Sequence, residues 1–207
     1  AQDKPAYDFL NVRYYFGDPA AAPPAGAGLR VAGRFDLAVF ASDECWPRAF
    51  FTDALVTYRD ASAFAALIKS GDGRPFAALQ EVDGERAGAG PAALLSRPLP
   101  TRAIVPARNY RLTSNTTSFD VEATGPGMVA LHETFLRKDF RVTLNGQPAT
   151  CLRVNHAFKG VYIPAAGSYR VSFEYWPAEF SLALRLAGAG LALLLAGGVV
   201  GWRMSSS

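Results

Sequence analysis

This 207-residue sequence predicts a mainly β protein: a jelly-roll-like antiparallel β-sandwich with one short helix, followed by a C-terminal transmembrane α-helix. Three observations carry that expectation. Short runs of β-branched and aromatic residues recur from Ile104 to Trp176, separated by turn signals at Gly125-Pro126-Gly127, Asn145-Gly146 and Ala166-Gly167. One stretch before them, Asp60 to Lys69, has helical spacing instead. The chain then closes on Phe180–Trp202, apolar on every side, with Arg185 its one charge.

Taken in order, Ala6–Phe16 is aromatic and β-prone, and Gly17–Gly28 is a low-complexity loop rich in Gly, Ala and Pro. Leu29–Phe40 alternates as a half-buried strand, with Leu29, Val31, Phe35, Leu37 and Val39 facing inward. Arg48–Tyr58 is a second β-like run. Asp60 is placed to cap the helix, Phe64, Leu67 and Ile68 form its apolar stripe, and Gly71 stops it. Gly84–Ala93 reads as another loop. The expected strands beyond it are Ile104–Thr113, Thr116–Ala123, Met128–Phe135, Phe140–Leu144, Ala149–Asn155, Gly160–Ile163 and Tyr169–Trp176. Asn145-Gly146 predicts a type I′ hairpin, because both residues tolerate positive φ.

A helix over the 23 residues Phe180–Trp202 would be roughly 34 Å long, enough to cross a hydrocarbon core of about 30 Å. Three segments are therefore expected: a domain over 1–177, a membrane helix over 178–203 and a short tail over 204–207. Trp176, Arg185, Trp202 and Arg203 are the expected membrane-interface residues, aromatic rings and snorkelling arginines at the two ends of the span. The first partner is thus the lipid bilayer, with other transmembrane helices packing on Gly188, Gly190, Ala192 and Gly197-Gly198.

A net charge of +3 with no run of Lys or Arg does not point to nucleic acid. Half the residues are apolar, too many for a disordered chain. The scattered arginines read as solvated strand faces. Cys45 and Cys151 either pair, if the domain lies in an oxidising compartment, or are two buried free thiols; both readings stand. The chain begins at Ala1 with no charged-then-apolar leader, which leaves a removed leader or a piece of a longer chain.

Catalytic signatures are missing: no phosphate loop, no nucleophile elbow and no metal-spaced His/Cys cluster, so neither cofactor nor metal is expected. His132-Glu133 lies in an alternating strand and reads as ordinary strand polarity rather than an acid–base pair. Asn115-Thr116-Thr117 fits an N-glycosylation acceptor, a short pattern common by chance.

The stretch Leu136–Phe180 carries a more specific signature: the Asn145-Gly146 hairpin, the Asn155–Phe158 turn, the Val161–Gly167 strand and turn, and Phe173–Pro177 leading into the apolar span. It resembles the C-terminal end of the YfhO family of bacterial polytopic membrane proteins. Leu10–Tyr15 and Pro47–Phe50 match the family more loosely. A Tyr-Pro-Gly-Trp run frequent in the family is replaced here by the sequence after Glu133.

That family is similar to lipid-linked-sugar-dependent glycosyltransferases whose catalytic acid lies in an early extracytoplasmic loop. The resemblance therefore implies a non-catalytic, extracytoplasmic domain at the bacterial cell membrane, with Ser207 inside. Its implied work is to shape the active-site mouth or contact envelope glycan. Within it, Asn155, His156, Phe158 and Lys159 are the candidate contact residues, joining hydrogen-bonding groups, a ring and a cation in one turn. The rival expectation is a membrane-tethered module docking onto a separate polytopic enzyme. A stand-alone hydrolase or transferase would need a clustered acid pair that the sequence does not announce.

Overall fold

The computed structural model describes residues 3–95, 99–136 and 139–205, with the backbone alone at 85–86, 198–201 and 203–205. In chain order the elements are α1 (Lys4–Phe9), β1 (Tyr14–Gly17), β2 (Leu29–Arg34), β3 (Ala38–Ser42), β4 (Ala49–Thr52), β5 (Leu55–Tyr58), α2 (Ala61–Ser70), β6 (Ala77–Gln80), α3 (Glu81–Ala87) and α4 (Ala89–Ala92). After a 3-10 turn at Leu99–Thr101 come β7 (Ile104–Pro106), β8 (Arg108–Leu112), β9 (Thr116–Ala123), β10 (Gly127–Thr134), β11 (Phe140–Leu144), β12 (Gln147–Ala149), β13 (Leu152–Val154), β14 (Phe158–Ile163), β15 (Gly167–Tyr175) and α5 (Phe180–Ser205).

Two five-stranded antiparallel sheets form the sandwich, ordered β13-β14-β10-β4-β7 and β12-β11-β15-β9-β8. Between them lies one core, with Phe51, Val129, Leu131 and Ile163 from the first sheet facing Phe119, Val121, Val171 and Phe173 from the second. The mainly β, antiparallel expectation is met. The first sheet, however, is buried on both faces. Phe50, Met128, Ala130 and Val154 point away from the sandwich into a second core with Trp46, Phe64, Phe76 and Leu79. The covering layer is α2 with β5 and β6, which pair in parallel. A sheet covered on both sides loses the in–out alternation, and β4 is buried at every position.

The Asn145-Gly146 turn forms as expected, with φ of 50° and 80° and Leu144 opposite Gln147. Asp60 caps α2 through its carboxylate, which accepts from the Ala63 N–H at 2.9 Å. Five expectations need correction. Lys4–Phe9 is a helix, not a strand; Pro5 fits its first turn, where no N–H is required. Gly84–Ala93 is mostly helix, α3 and α4, so the domain has more than one short helix. Leu29–Phe40 is two strands joined at Phe35–Leu37, where the Phe35 N–H donates to the Leu37 carbonyl. Phe35 and Leu37 therefore sit at an exposed reversal, 80% and 49% accessible, rather than facing inward.

A fourth correction concerns long runs that change sheets. Ile104–Thr113 divides into β7 and β8, and Ala149–Asn155 covers the end of β12 and then β13, each pair in opposite sheets. Arg48–Tyr58 divides at Asp53-Ala54 into β4 and β5. Not all arginines are solvated either. Arg102 is buried, its guanidinium on Asp72 at 2.6 Å and on the carbonyls of Arg74, Pro75 and Leu99.

The helix α5 starts three residues after Pro177 and continues to Ser205. None of Phe180–Gly197 is buried, so this is not the core helix of the domain; it is long and apolar enough to cross a membrane.

Candidate functional site

The residues at the helix-bearing end of the sandwich are set by strand register. Phe140 lies opposite Tyr175, and Arg141 opposite Glu174, just before α5 begins. The Asp139 carbonyl accepts from the Trp176 N–H at 2.7 Å, and its carboxylate from the Ala178 N–H at 3.3 Å. Trp176 is half-buried here. Arg141 lies 4.3 Å over its ring, its Nε1–H donates to Ser181 Oγ at 2.9 Å, and Phe180 packs edge-on against it. Pairing of this kind fixes how the apolar helix leaves the domain. Arg185 and Trp202 are exposed on α5. The Arg203 side chain lies outside the described residues.

Beside this junction opens a cleft of about 770 Å³. One wall is Leu79, Val82 and Asp83 from β6 and α3; another is Thr134, Phe135, Leu136 and Phe140; the floor is Thr150–Arg153 with His156 and Ala157. Arg153 donates to Asp83 at 2.7 Å and to the Gln80 side-chain oxygen at 2.7 Å, which ties α3 to β13 and presents a paired charge to the cleft. Cys151 also lines it, and burial pushes this thiol up to about 12. Burial raises Cys45 as well. The two cysteines do not form a disulfide; each is a free thiol.

Of the four candidate contact residues, only His156 reaches the cleft. Its backbone has φ 71°, its ring stacks on Phe64 with centroids 5.8 Å apart, and Nδ1 lies 3.4 Å from the Tyr58 hydroxyl. Asn155 turns inward. It is 1% exposed, accepts from the Ala78 N–H at 2.8 Å and donates to the Phe76 carbonyl at 3.0 Å, so it stitches the turn to β6. Phe158 packs on His132 and Phe9, with centroids 4.6 and 5.4 Å away.

Lys159 is sealed in the interior. Its side chain is 4% exposed, and Nζ bonds Glu133 at 2.7 Å and sits 3.9 Å over the Phe140 ring. Glu133 also accepts from Arg48 at 2.8 Å and Thr117 at 3.0 Å. Burial pushes the Glu133 carboxyl up, but the Lys159 and Arg48 hydrogen bonds outweigh it and hold the group below the usual carboxylate range. The turn is therefore mainly a structural corner. Cleft residues Asp83, Thr134, Phe135, Phe140 and Arg153 went unrecognised in the sequence, since they come from four separate elements and share no motif.

His132 is not an ordinary strand polar residue. Its ring lies within 6 Å (centroid to centroid) of Phe9, Trp46, Phe50 and Phe158. Both ring nitrogens are buried with no hydrogen-bond partner among the described residues. Burial lowers its pKa to about 3. The unfolded chain, with His near 6.5, binds the proton first as pH falls. Stability from the neutral imidazole is therefore whole above about pH 6.5 and lost towards pH 3, at about 1.4 kcal/mol per pH unit. His132→Phe should flatten that part of the acid profile in urea melts between pH 6.5 and 4. An unchanged slope would show that the imidazole is reached by water.

Among the described residues no group of three or more His, Cys, Asp or Glu side chains converges as a metal site would require. No family model matches this chain, and no curated protein or solved structure matches it either.

Proposed function

We propose that this chain is the membrane-proximal, extracytoplasmic domain and last helix of a YfhO-like cell-envelope glycosyltransferase. In that role it is non-catalytic and helps hold acceptor glycan at the mouth of the membrane active site. The observation that carries the reading is the position of the cleft. Phe140, one of its walls, is paired with Tyr175 on the strand that feeds the apolar helix. A ligand in the cleft would lie within a few residues' length of the bilayer surface.

The lining suits a sugar. Phe135 and Phe140 offer rings for C–H faces, while Thr134, Thr150, His156, Asp83 and Arg153 offer hydroxyl-matching donors and acceptors. The paired Asp83–Arg153 charge favours a neutral polyol over a highly charged ligand.

The test is titration of the full chain in nanodiscs with envelope glycan fragments. Arg153→Ala and His156→Ala should each weaken binding by roughly tenfold, the loss expected for one charged or buried hydrogen bond. Thr124→Ala, at the opposite end of the sandwich, should leave it unchanged. Equal affinities throughout, or no binding by the wild type, would remove the cleft from the account.

A second reading, an adaptor docking on a separate polytopic enzyme, draws support from α5 itself. Among the described residues nothing packs within 4 Å of a Cβ placed at Gly188, Gly190 or Gly197, so α5 is open to another span at these positions.

A further inference from the structure

We infer that the apolar face of the small β1-β3-β2 sheet rests in the headgroup region of the bilayer, giving the domain a second membrane contact beside α5. The inference depends on α5 being a membrane span.

The face is built by register. Phe16 lies opposite Val39, and Val39 opposite Gly33. A Cβ on Gly33 would meet the Phe35 ring at 2.9 Å, so that ring covers the same side. Phe16, Phe35, Leu37 and Val39 surround a shallow notch of about 230 Å³, with Asp36 at its rim. Tyr14 continues the face, two residues before Phe16. Phe35 is 80% exposed and Phe16 69%, an unusual display of phenyl rings for a small water-facing sheet.

Position selects lipid as the occupant. The sheet is rooted at the helix-bearing end of the sandwich. Ser42, at the end of β3, donates from its N–H to the Arg13 carbonyl and from its hydroxyl to Asp8. The next residues lead through Trp46 to Arg48, which holds Glu133. Glu133 holds Lys159, which lies over Phe140, the partner of Tyr175 beside α5. The exposed rings thus grow from the end of the domain that a membrane span would press against the bilayer. Aromatic and aliphatic side chains on a sheet face, with Arg30 and Arg34 on its β2 strand, are suited to the headgroup–acyl boundary.

The full chain is reconstituted in liposomes in a Cys45→Ser, Cys151→Ala background. An environment-sensitive fluorophore is attached at Phe35→Cys, at Leu193→Cys in α5, or at Thr124→Cys at the far end of the sandwich. Lipids carrying a shallow spin-label quencher should cut emission at 35 by roughly twofold, as expected for a group about 5–10 Å into the boundary. Emission at 193 should be quenched by a deep label and that at 124 by neither. Adding Phe16→Glu should reverse the quenching at 35 without touching 193. Quenching at 193 but not at 35 would overturn the second contact alone, whether the face is then wet or covered by protein. Loss of quenching at both would overturn the span as well. Near-ultraviolet circular dichroism of each variant, matched to the parent, confirms that the label reports on a folded domain.

Discussion

Glu133→Leu is expected to destabilise the domain by about 3 kcal/mol, lowering the melting temperature by roughly 6–12 °C. The reason is what it leaves behind. Among the described residues, Lys159 would keep only the Phe140 and Phe173 rings around an ammonium that is 4% exposed, with no other anion paired to it there. Lys159→Met should cost much less, because Glu133 retains Arg48 and Thr117 and is more accessible. Combining the two should restore most of the loss, since an apolar pair in that space needs no compensating charge. The check is a double-mutant cycle by chemical denaturation. If Glu133→Leu proves no worse than Lys159→Met, the ammonium has an outlet to water that the structure lacks.

The second large effect concerns the terminal helix. Leu191→Arg with Leu194→Arg should move the chain from a fraction that resists alkaline extraction into one that does not. Each arginine near the centre of a span costs about 2.5–3.5 kcal/mol of insertion on the translocon scale. The two leucines are 59% and 76% exposed on α5, so their replacement leaves the β-domain untouched. Retention of the double variant in the extraction-resistant fraction would mean that something other than α5 holds the chain to the membrane.

Legibility varied with how local the deciding force was. The Asp60 cap, the Asn145-Gly146 turn and strands such as Phe140–Leu144 are settled within a few residues, and they stand where the sequence puts them. Leu29–Phe40 reads as one strand in the sequence because a tight reversal at Phe35–Leu37 preserves an alternating pattern across two strands. The Asn155–Lys159 turn looked like a binding loop because it gathers polar and aromatic residues. Most of those groups turn inward, onto β6, Glu133 and the Phe9–His132 cluster, which are distant in sequence.

By itself, the sequence determined the β-rich class and the apolar terminal helix. Both follow from local composition: β-branched runs between turns, and a segment in which every helical side is greasy. Only the tertiary structure decided that one sheet is buried on both faces, that Lys159 is an internal ion-pair partner, and that Asp83, Phe140 and Arg153 share a cleft beside the helix junction. Those outcomes depend on which distant surfaces meet, and the free energy of burying a charge or a ring depends on the partner it meets there.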